Sequence, residues 1–331
     1  MKFTLNISIT LFKPDTIELR NYFIAFKKIN KIIIEKHPNR INDLINFSII
    51  SDNPNLEKNQ KIVYLIKEFE KIRNFKYFAT KERLHKAGIV IKNIDQINAK
   101  FTKFCDPDDL VIPENIIKIA LELDSLTENC LILHGFIKTN YRQKLVWENI
   151  WNLNSWKSFT PFSFNLNTIY PVKLLEKAKK DNWIFKHSIW SDDALALSLN
   201  KYKPYYVFLP NFFPYIHIPN NGTSKTKTKH TEKDFYNASI DLIKLLSKEY
   251  KYFDHETCTD KPNFFFVKSV YHDLFLYKKN RIIKFFKYLW FILFLNIKLG
   301  KKYKWFCKKR WNLFWFEILL LLSFLIKIRI N

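Results

Sequence analysis

The chain up to residue 105 alternates between short strand-like runs and longer segments whose apolar residues recur at helical spacing. Runs with β-branched residues or alternating polarity occur at residues 5–12, 47–50, 75–80 and 101–105. Helical spacing is found between them, at residues 16–29, 61–73 and 84–97. Strands and helices in this order predict a Rossmann-like α/β fold, in which a mostly parallel sheet carries helices on its faces.

An acidic turn, "CDPDD", closes the fourth of these runs and contains Asp106, Asp108 and Asp109. A second turn, "SDNPN", follows the second run and contains Asp52. In open α/β sheets, ligands bind outside the carboxyl ends of the strands. We therefore expect Asp52 and Asp106 to lie along one edge of the sheet.

Two carboxylates at positions i and i+2 of a turn, as at Asp106 and Asp108, suit a hard divalent cation such as Mg²⁺ or Mn²⁺. Mg²⁺ is usually held by one or two carboxylates together with substrate phosphates. The alternative is an acidic turn in which Asp108 or Asp109 caps the helix predicted to begin at Pro113.

A second acidic pair, Asp192 and Asp193, stands in "WSDDALAL" at the predicted start of a helix opened by Ser191. One of these carboxylates, placed near a hydroxyl group, would serve as a general base. Alternatively, both acids only complement the helix dipole. His217, in "YIHIPNN", ends an extended run and is either a structural residue or a further metal ligand through its neutral imidazole.

Taken in order, these motifs resemble those of the family 2 glycosyltransferases, which have the GT-A fold and include bacterial enzymes of lipopolysaccharide and other glycan synthesis. The resemblance covers about residues 5–225 and rests on "DPDD" followed by "LVIPENI", then "HGF", "SDDALAL" and "YIHIPNNGTS". It implies an enzyme, a hexosyltransferase, that uses a nucleotide-diphosphate sugar as donor together with Mg²⁺ or Mn²⁺.

The resemblance also assigns roles to individual residues. Asp106 is expected to contact the ribose or the metal, Asp108 to be the principal metal ligand, and Asp52 to bind the nucleotide base. Asp193 is the expected general base of an inverting transfer. In this family the acidic pair usually begins with Glu, so either Asp192 or Asp193 faces the acceptor. The late His motif corresponds to Tyr215 and His217.

One motif of the family is missing. The Pro-Thr-Tyr-Asn that usually follows the first strand is replaced by "LFKPD", and the contacts with the donor base are expected near Leu11. A glycosyltransferase-like protein whose chemistry has decayed is therefore an alternative hypothesis.

Positive charge is concentrated near the C-terminus. The net charge is +24, and residues 278–331 contain fourteen Lys or Arg but only one acid, Glu317. Two aromatic-rich apolar runs in this segment, residues 288–297 and 311–326, are shorter than the ~20 residues of a bilayer span. We predict two interfacial helices that bind an anionic membrane surface; a true span by the second run, or a buried packing element, are the alternatives.

The organisation expected from the sequence is a GT-A domain over residues 1–230, a helical connection over 231–277 and a membrane-associating tail over 278–331. The polar, basic segment 219–230 is expected to be a loop. The four cysteines are widely separated, which fits a reducing compartment. The N-terminus lacks the apolar core of a signal peptide, so we predict a peripheral protein on the cytoplasmic side of the plasma membrane.

The expected partners are the donor, a glycan or lipid-linked acceptor and the anionic membrane, but not nucleic acid. A basic module that binds nucleic acid is the main alternative from another class of protein. Two features argue against it. The aromatic residues of the C-terminal segment form continuous apolar runs, and nucleic-acid binding does not account for the ordered Asp motifs.

Overall fold

The computed structural model describes residues 2–11, 15–51, 55–80, 84–135, 137–139, 145–148, 168–182, 191–209 and 212–217, together with isolated positions elsewhere. Contacts divide the chain into two compact units, and all of these ranges belong to the unit formed by residues 1–156 and 161–228. The predicted helical connection at 231–277 and the basic tail at 278–331 lie outside the described ranges.

The described unit contains eleven strands and six α-helices. The strands are β1 (Phe3–Leu11), β2 (Ile45–Ser51), β3 (Phe75–Ala79), β4 (Ala99–Cys105), β5 (Leu110–Val111), β6 (Cys130–His134), β7 (Ile137–Thr139), β8 (Leu145–Glu148), β9 (Thr168–Pro171), β10 (Tyr205–Leu209) and β11 (Tyr215–His217). The helices are α1 (Thr16–Lys36), α2 (Gln60–Glu70), α3 (His85–Asn93), α4 (Pro113–Leu123), α5 (Val172–Lys180) and α6 (Ser191–Leu199). Among the described residues, no helix combines the length and the apolar character needed to cross a membrane.

Seven strands form the large sheet, in the order β10-β6-β9-β4-β1-β2-β3. All pairings within it are parallel except those of β9, which is antiparallel to both β4 and β6. The predicted mostly parallel α/β sheet is therefore confirmed, with one strand reversed. The chain moves outward from β1 to β2 and β3 and then returns to β4 on the other side of β1, so the strand order reverses between β1 and β4.

Helices cover both faces of the large sheet. On one face, the first hydrophobic core joins α1, α2 and α4 to inward residues such as Ile7, Phe47 and Phe101. On the other face, the second core joins α3, α5 and α6 to residues such as Ile50 and Phe104. Side chains of a strand alternate between its two faces, so β2 and β4 each supply both cores.

The start of α1 is specified locally. Asp15 accepts a hydrogen bond from the backbone N–H of Ile17, and the Glu18 carboxylate accepts one from the backbone N–H of Asp15. This capping box satisfies two N–H groups that a helix end leaves without partners. The helix ends at Lys36, later than the predicted residue 29, because Ile33 continues its buried face.

A small sheet, in the order β5-β11-β7-β8, adjoins the carboxyl edge of the large one. Three strands of the large sheet continue into it: β4 into β5, β6 into β7, and β10 into β11. The apolar run 130–137 predicts a single strand, but the structure has β6 and then β7 there, because the chain passes from the large sheet to the small one. The run 205–218, predicted as extended chain, contains β10 and β11. β8 pairs with β7.

Candidate active site at the carboxyl edge of the large sheet

The acidic turn Asp106–Asp109 leaves the carboxyl end of β4, as predicted. The backbone N–H of Asp109 donates to the carbonyl of Asp106 at 3.1 Å and closes the turn. The phenol of Tyr22, on α1, donates to the same carbonyl at 2.8 Å. The turn is therefore fixed both by its own backbone and by the helix that packs beneath it.

This turn lies where the strand order reverses. β1 stands between β2 and β4, with Leu11 opposite Ser51 and Ile9 opposite Cys105. The ends of the three strands thus meet at one edge, which is the usual ligand position in an open α/β sheet. Leu11, a predicted nucleotide-binding residue, lies in the hydrophobic core and is only 1% exposed. Asp52, the residue after Ser51, lies outside the described residues.

Negative charge is crowded on the turn. Burial is the main cause that raises the pKa of Asp108 to about 6, and the neighbouring carboxylates of Asp106 and Asp109 raise it further. Asp109 is buried, whereas Asp106 and Asp108 are half-buried. A cation bound between the half-buried pair would relieve this repulsion.

Lys86, which the sequence analysis did not select, supplies one positive charge at the turn. Its Nζ lies 2.7 Å from both carboxylate oxygens of Asp106. The residue belongs to the first turn of α3, where the helix dipole disfavours a cation. The sequence signal that could have singled out Lys86 is a cation in the first turn of a predicted helix. A nearby carboxylate would offset its unfavourable interaction with the helix dipole.

The second acidic motif is joined to this pair through the backbone. Ser191, the first residue of α6, accepts a hydrogen bond from the backbone N–H of Ala87 at 3.3 Å. Ala87 follows Lys86, and Asp192 and Asp193 follow Ser191. The structure therefore brings the first turn of α6 next to the first turn of α3, although the two acidic motifs are far apart in sequence. The side chains of the two acids are outside the described residues.

The small sheet brings the late His motif to the same place. β11 is antiparallel to β5, with Tyr215 opposite Val111 and Ile216 opposite Leu110. His217 is the next residue of β11, and its backbone pairs with Lys138 of β7 on the other side of the strand. The His217 side chain is outside the described residues, so its proposed role as a ligand stays a prediction.

A buried polar cluster lies beneath the turn and consists of Lys103, Cys105, His134 and Tyr215. Lys103 Nζ donates to the Thr168 carbonyl at 3.2 Å and lies 5.0 Å from the centroid of the Tyr215 ring. Burial lowers the pKa of Lys103 to about 8 and raises that of the Cys105 thiol to about 12. The thiol is therefore neutral, and it donates to Tyr215 Oη at 3.2 Å.

The carboxylates of the acidic turn fit a metal site that is completed by a substrate better than one closed by protein ligands alone. Within the described part of the chain, no group of three or more His, Cys, Asp and Glu side chains is arranged to hold a metal ion. The half-buried carboxylates of Asp106 and Asp108 nevertheless supply hard oxygen donors on one turn. Mg²⁺ is commonly held by such a pair together with substrate phosphates, so the donor set is compatible with a divalent cation that arrives with its substrate.

The mixed α/β architecture, with its mostly parallel central sheet, has counterparts among solved structures. It is similar to crystal structures of S. aureus TarS 1–349. With the UDP complex the TM-score is 0.54 at 13% sequence identity, over 84% of this chain and 74% of the TarS chain. With the UDP-GlcNAc complex the TM-score is 0.50 at 10% identity, over 82% and 81% of the two chains. At this identity the likeness concerns the fold. No family model matches the chain, and no curated protein matches it in sequence.

Proposed function

We propose that the protein is a glycosyltransferase that moves a sugar from a nucleotide-diphosphate donor to a hydroxyl group. One observation carries the proposal: Lys86 pairs with Asp106, and the next residue, Ala87, is hydrogen-bonded to Ser191 beside the second acidic pair. The charged residues proposed to bind the donor are thus linked through hydrogen bonds to the helix that carries the candidate general base. The fold shared with TarS, which was crystallised with UDP and UDP-GlcNAc, supports this choice of donor.

The donor site has two parts in this proposal. The backbone around Leu11 and the carboxylate of Asp52 bind the nucleoside. Asp106 and Asp108 would hold a divalent cation that neutralises the diphosphate, and His217 is a further candidate ligand. A bound Mg²⁺ or Mn²⁺ would neutralise charge on the leaving diphosphate. Lys86 would exchange its contact with Asp106 for a phosphate oxygen, since an ammonium group binds either anion.

The acceptor is activated from the other side of the site. Asp193 or Asp192, in the first turn of α6, removes the proton from the acceptor hydroxyl as it attacks the anomeric carbon. The attack displaces the nucleotide diphosphate and inverts the configuration at that carbon. Holding both substrates in line provides much of the rate enhancement, because the reaction then becomes effectively unimolecular.

The acceptor in this proposal is a glycan or a lipid-linked core, in the synthesis of lipopolysaccharide, capsule or another cell-surface polysaccharide. The basic, aromatic-rich segment 278–331 supports a peripheral location on the cytoplasmic side of the plasma membrane. Docking at that surface would raise the effective concentration of a membrane-bound acceptor.

The donor proposal is tested by titrating the full chain with UDP, GDP and their sugars by isothermal calorimetry, in Mn²⁺ and in EDTA. We expect saturable binding of one nucleotide class in Mn²⁺, lost in Asp108→Ala. Glu122→Gln, an exposed acid on α4, is the control. Absence of nucleotide binding in Mn²⁺, or unchanged binding in Asp108→Ala, would overturn the metal-dependent donor site.

The catalytic proposal needs a separate measurement. The bound donor is supplied in radiolabelled form, and its hydrolysis or its transfer to membrane extracts is followed over time. We expect turnover that Asp193→Asn or Asp192→Asn abolishes while donor affinity is kept. Donor binding without any turnover would instead favour the decayed glycosyltransferase-like protein.

A further inference from the structure

The outward face of α1 carries an unusual stripe of residues. Positions 17, 20, 24, 27, 31 and 34 are separated alternately by three and four residues, so they line one side of the helix. All six are exposed. They form what is called here the α1 stripe: Ile17, Arg20, Ile24, Lys27, Lys31 and Ile34.

The isoleucines of this stripe are not needed by the core. The opposite side of α1 already buries a complete apolar face, which includes Leu19, Phe26 and Ile33. Ile17, Ile24 and Ile34 are nevertheless 67%, 64% and 51% exposed. Single exposed apolar residues are common on protein surfaces, but three on one line of one helix suggest an interaction surface.

The surroundings of the stripe are positively charged. α1 contains five Lys or Arg and two acids. The neighbouring helix α2 adds Tyr64, which is 64% exposed, between the exposed Lys61 and Lys67. Two lysines here have acidic partners: Lys31, in the stripe, pairs with Glu35 at 3.7 Å, and Lys28, outside the stripe, pairs with Glu114 on α4 at 2.7 Å.

We propose that the α1 stripe docks on an anionic lipid surface. Isoleucines inserted among the acyl chains and cations placed at the phosphates are the two components of interfacial helix binding. Long lysine and arginine side chains reach outward from a partly inserted helix to the headgroups. A nucleic acid would use the cations, but its phosphate backbone offers no apolar environment to three isoleucines.

The orientation of α1 gives this surface a functional consequence. α1 follows β1 and runs back along the sheet, so its first turn, with Ile17, lies at the carboxyl edge where the acidic turn stands. Docking along the stripe would bring that edge to the lipid headgroups. The inference is independent of sugar transfer, and it concerns residues outside the predicted membrane segment 278–331.

The contact is tested in the full chain with a label at Ile24, so that binding elsewhere does not obscure the result. Ile24→Cys is prepared with Cys258→Ser and Cys307→Ser and labelled with a polarity-sensitive dye. The remaining Cys105 and Cys130 are buried. With vesicles of phosphatidylglycerol and phosphatidylcholine we expect a severalfold rise in emission that nitroxide lipids quench.

The matched control carries the dye at Lys180→Cys, an exposed position on α5 at the other face of the sheet. We expect little change there, and little change at Ile24 with phosphatidylcholine alone. An equal response at both positions would overturn the proposal. So would a response at Ile24 to RNA or to an acidic protein but not to vesicles.

A second experiment measures affinity by vesicle sedimentation. Replacing Ile17, Ile24 and Ile34 together with serine is expected to weaken partitioning about tenfold, because three inserted side chains are lost. These positions are exposed, so folding should be retained, and circular dichroism checks this. A triple variant on the opposite face, Lys92→Ser with Lys173→Ser and Lys180→Ser, is the control. Unchanged partitioning of the isoleucine variant would contradict the inference.

Discussion

Ser191 accepts a hydrogen bond from the backbone N–H of Ala87 at 3.3 Å, and this bond links the starts of α6 and α3. Both residues are buried. The bond joins two regions that are 104 positions apart in the chain, and each region carries charged residues of the candidate site. The serine hydroxyl, together with the apolar packing of α3 against α6, sets the separation between Lys86 and the Asp192–Asp193 pair.

Replacing Ser191 with alanine should reduce turnover more than donor affinity. The Ala87 N–H would lose its acceptor in a buried position, which costs about 1–3 kcal/mol of stability. Chemical denaturation measures that loss, and steady-state kinetics separates kcat from KM. Ser198→Ala is the matched control, because its hydroxyl bonds to the Ala194 carbonyl within the same helix. If both variants changed kcat equally, the link would have no special role.

Replacing Lys86 with methionine should weaken UDP binding about tenfold, since a charge-assisted contact with phosphate is lost. The same change should tighten Mn²⁺ binding, because Asp106 loses its competing cation. Calorimetry measures both affinities. Lys92→Met, on the same helix with a surface partner in Glu82, should alter neither. Weaker binding of Mn²⁺ in Lys86→Met would show that the lysine supports the metal site instead of competing with it.

The stability of the fold should depend on the ionisation of Asp108. Its pKa in the folded chain is about 6, above the ordinary value of 3.8, so the fold favours the protonated form. This stabilisation is complete below about pH 4 and is lost as the pH rises through about 6. Asp108→Asn, which stays neutral, should therefore match the native chain near pH 4 and exceed its Tm by about 2–4 °C at pH 7.5.

That comparison is made in EDTA by thermal unfolding, because a bound cation would offset the repulsion that raises the pKa. Glu122→Gln, which removes an exposed carboxylate from α4, controls for the general loss of an acid. A constant Tm difference between Asp108→Asn and the native chain from pH 4 to 7.5 would contradict the assigned environment of Asp108.

Replacing Tyr22 with phenylalanine should loosen the acidic turn. The lost hydrogen bond to the Asp106 carbonyl, 2.8 Å long, contributes about 1 kcal/mol to stability. Greater freedom of the turn should also weaken Mn²⁺ binding severalfold. Denaturation and calorimetry measure the two effects, and Tyr64→Phe on the exposed side of α2 is the control. Native metal affinity in Tyr22→Phe would mean that the turn is rigid without this contact.

The sequence predicts the parts of the fold that have a strong local period. β1, β2 and β4 contain apolar or alternating runs of strand length. The helix α1 has a buried apolar face and begins with a capping box at Asp15. The acidic turn was placed correctly because it directly follows β4. Its position relative to β1 and β2 then follows from the topology of parallel strands.

Other features depend on contacts that no local pattern encodes. The small sheet is built from strands of two to four residues, which are too short to show a period. Lys86 is one lysine among many, and only the folded chain shows that it pairs with Asp106. The bond between Ala87 and Ser191 likewise results from the packing of α3 against α6.

The three continuations from the large sheet into the small one limit how this protein can be re-engineered. β5, β7 and β11 each extend a strand of the large sheet, and the Ile112 N–H adds a bond to the Pro214 carbonyl at 2.8 Å. The small sheet therefore has no single point at which it could be exchanged as a module. A chimera that exchanges the small sheet would have to transplant residues 106–217 as one block, together with the acidic turn that begins it.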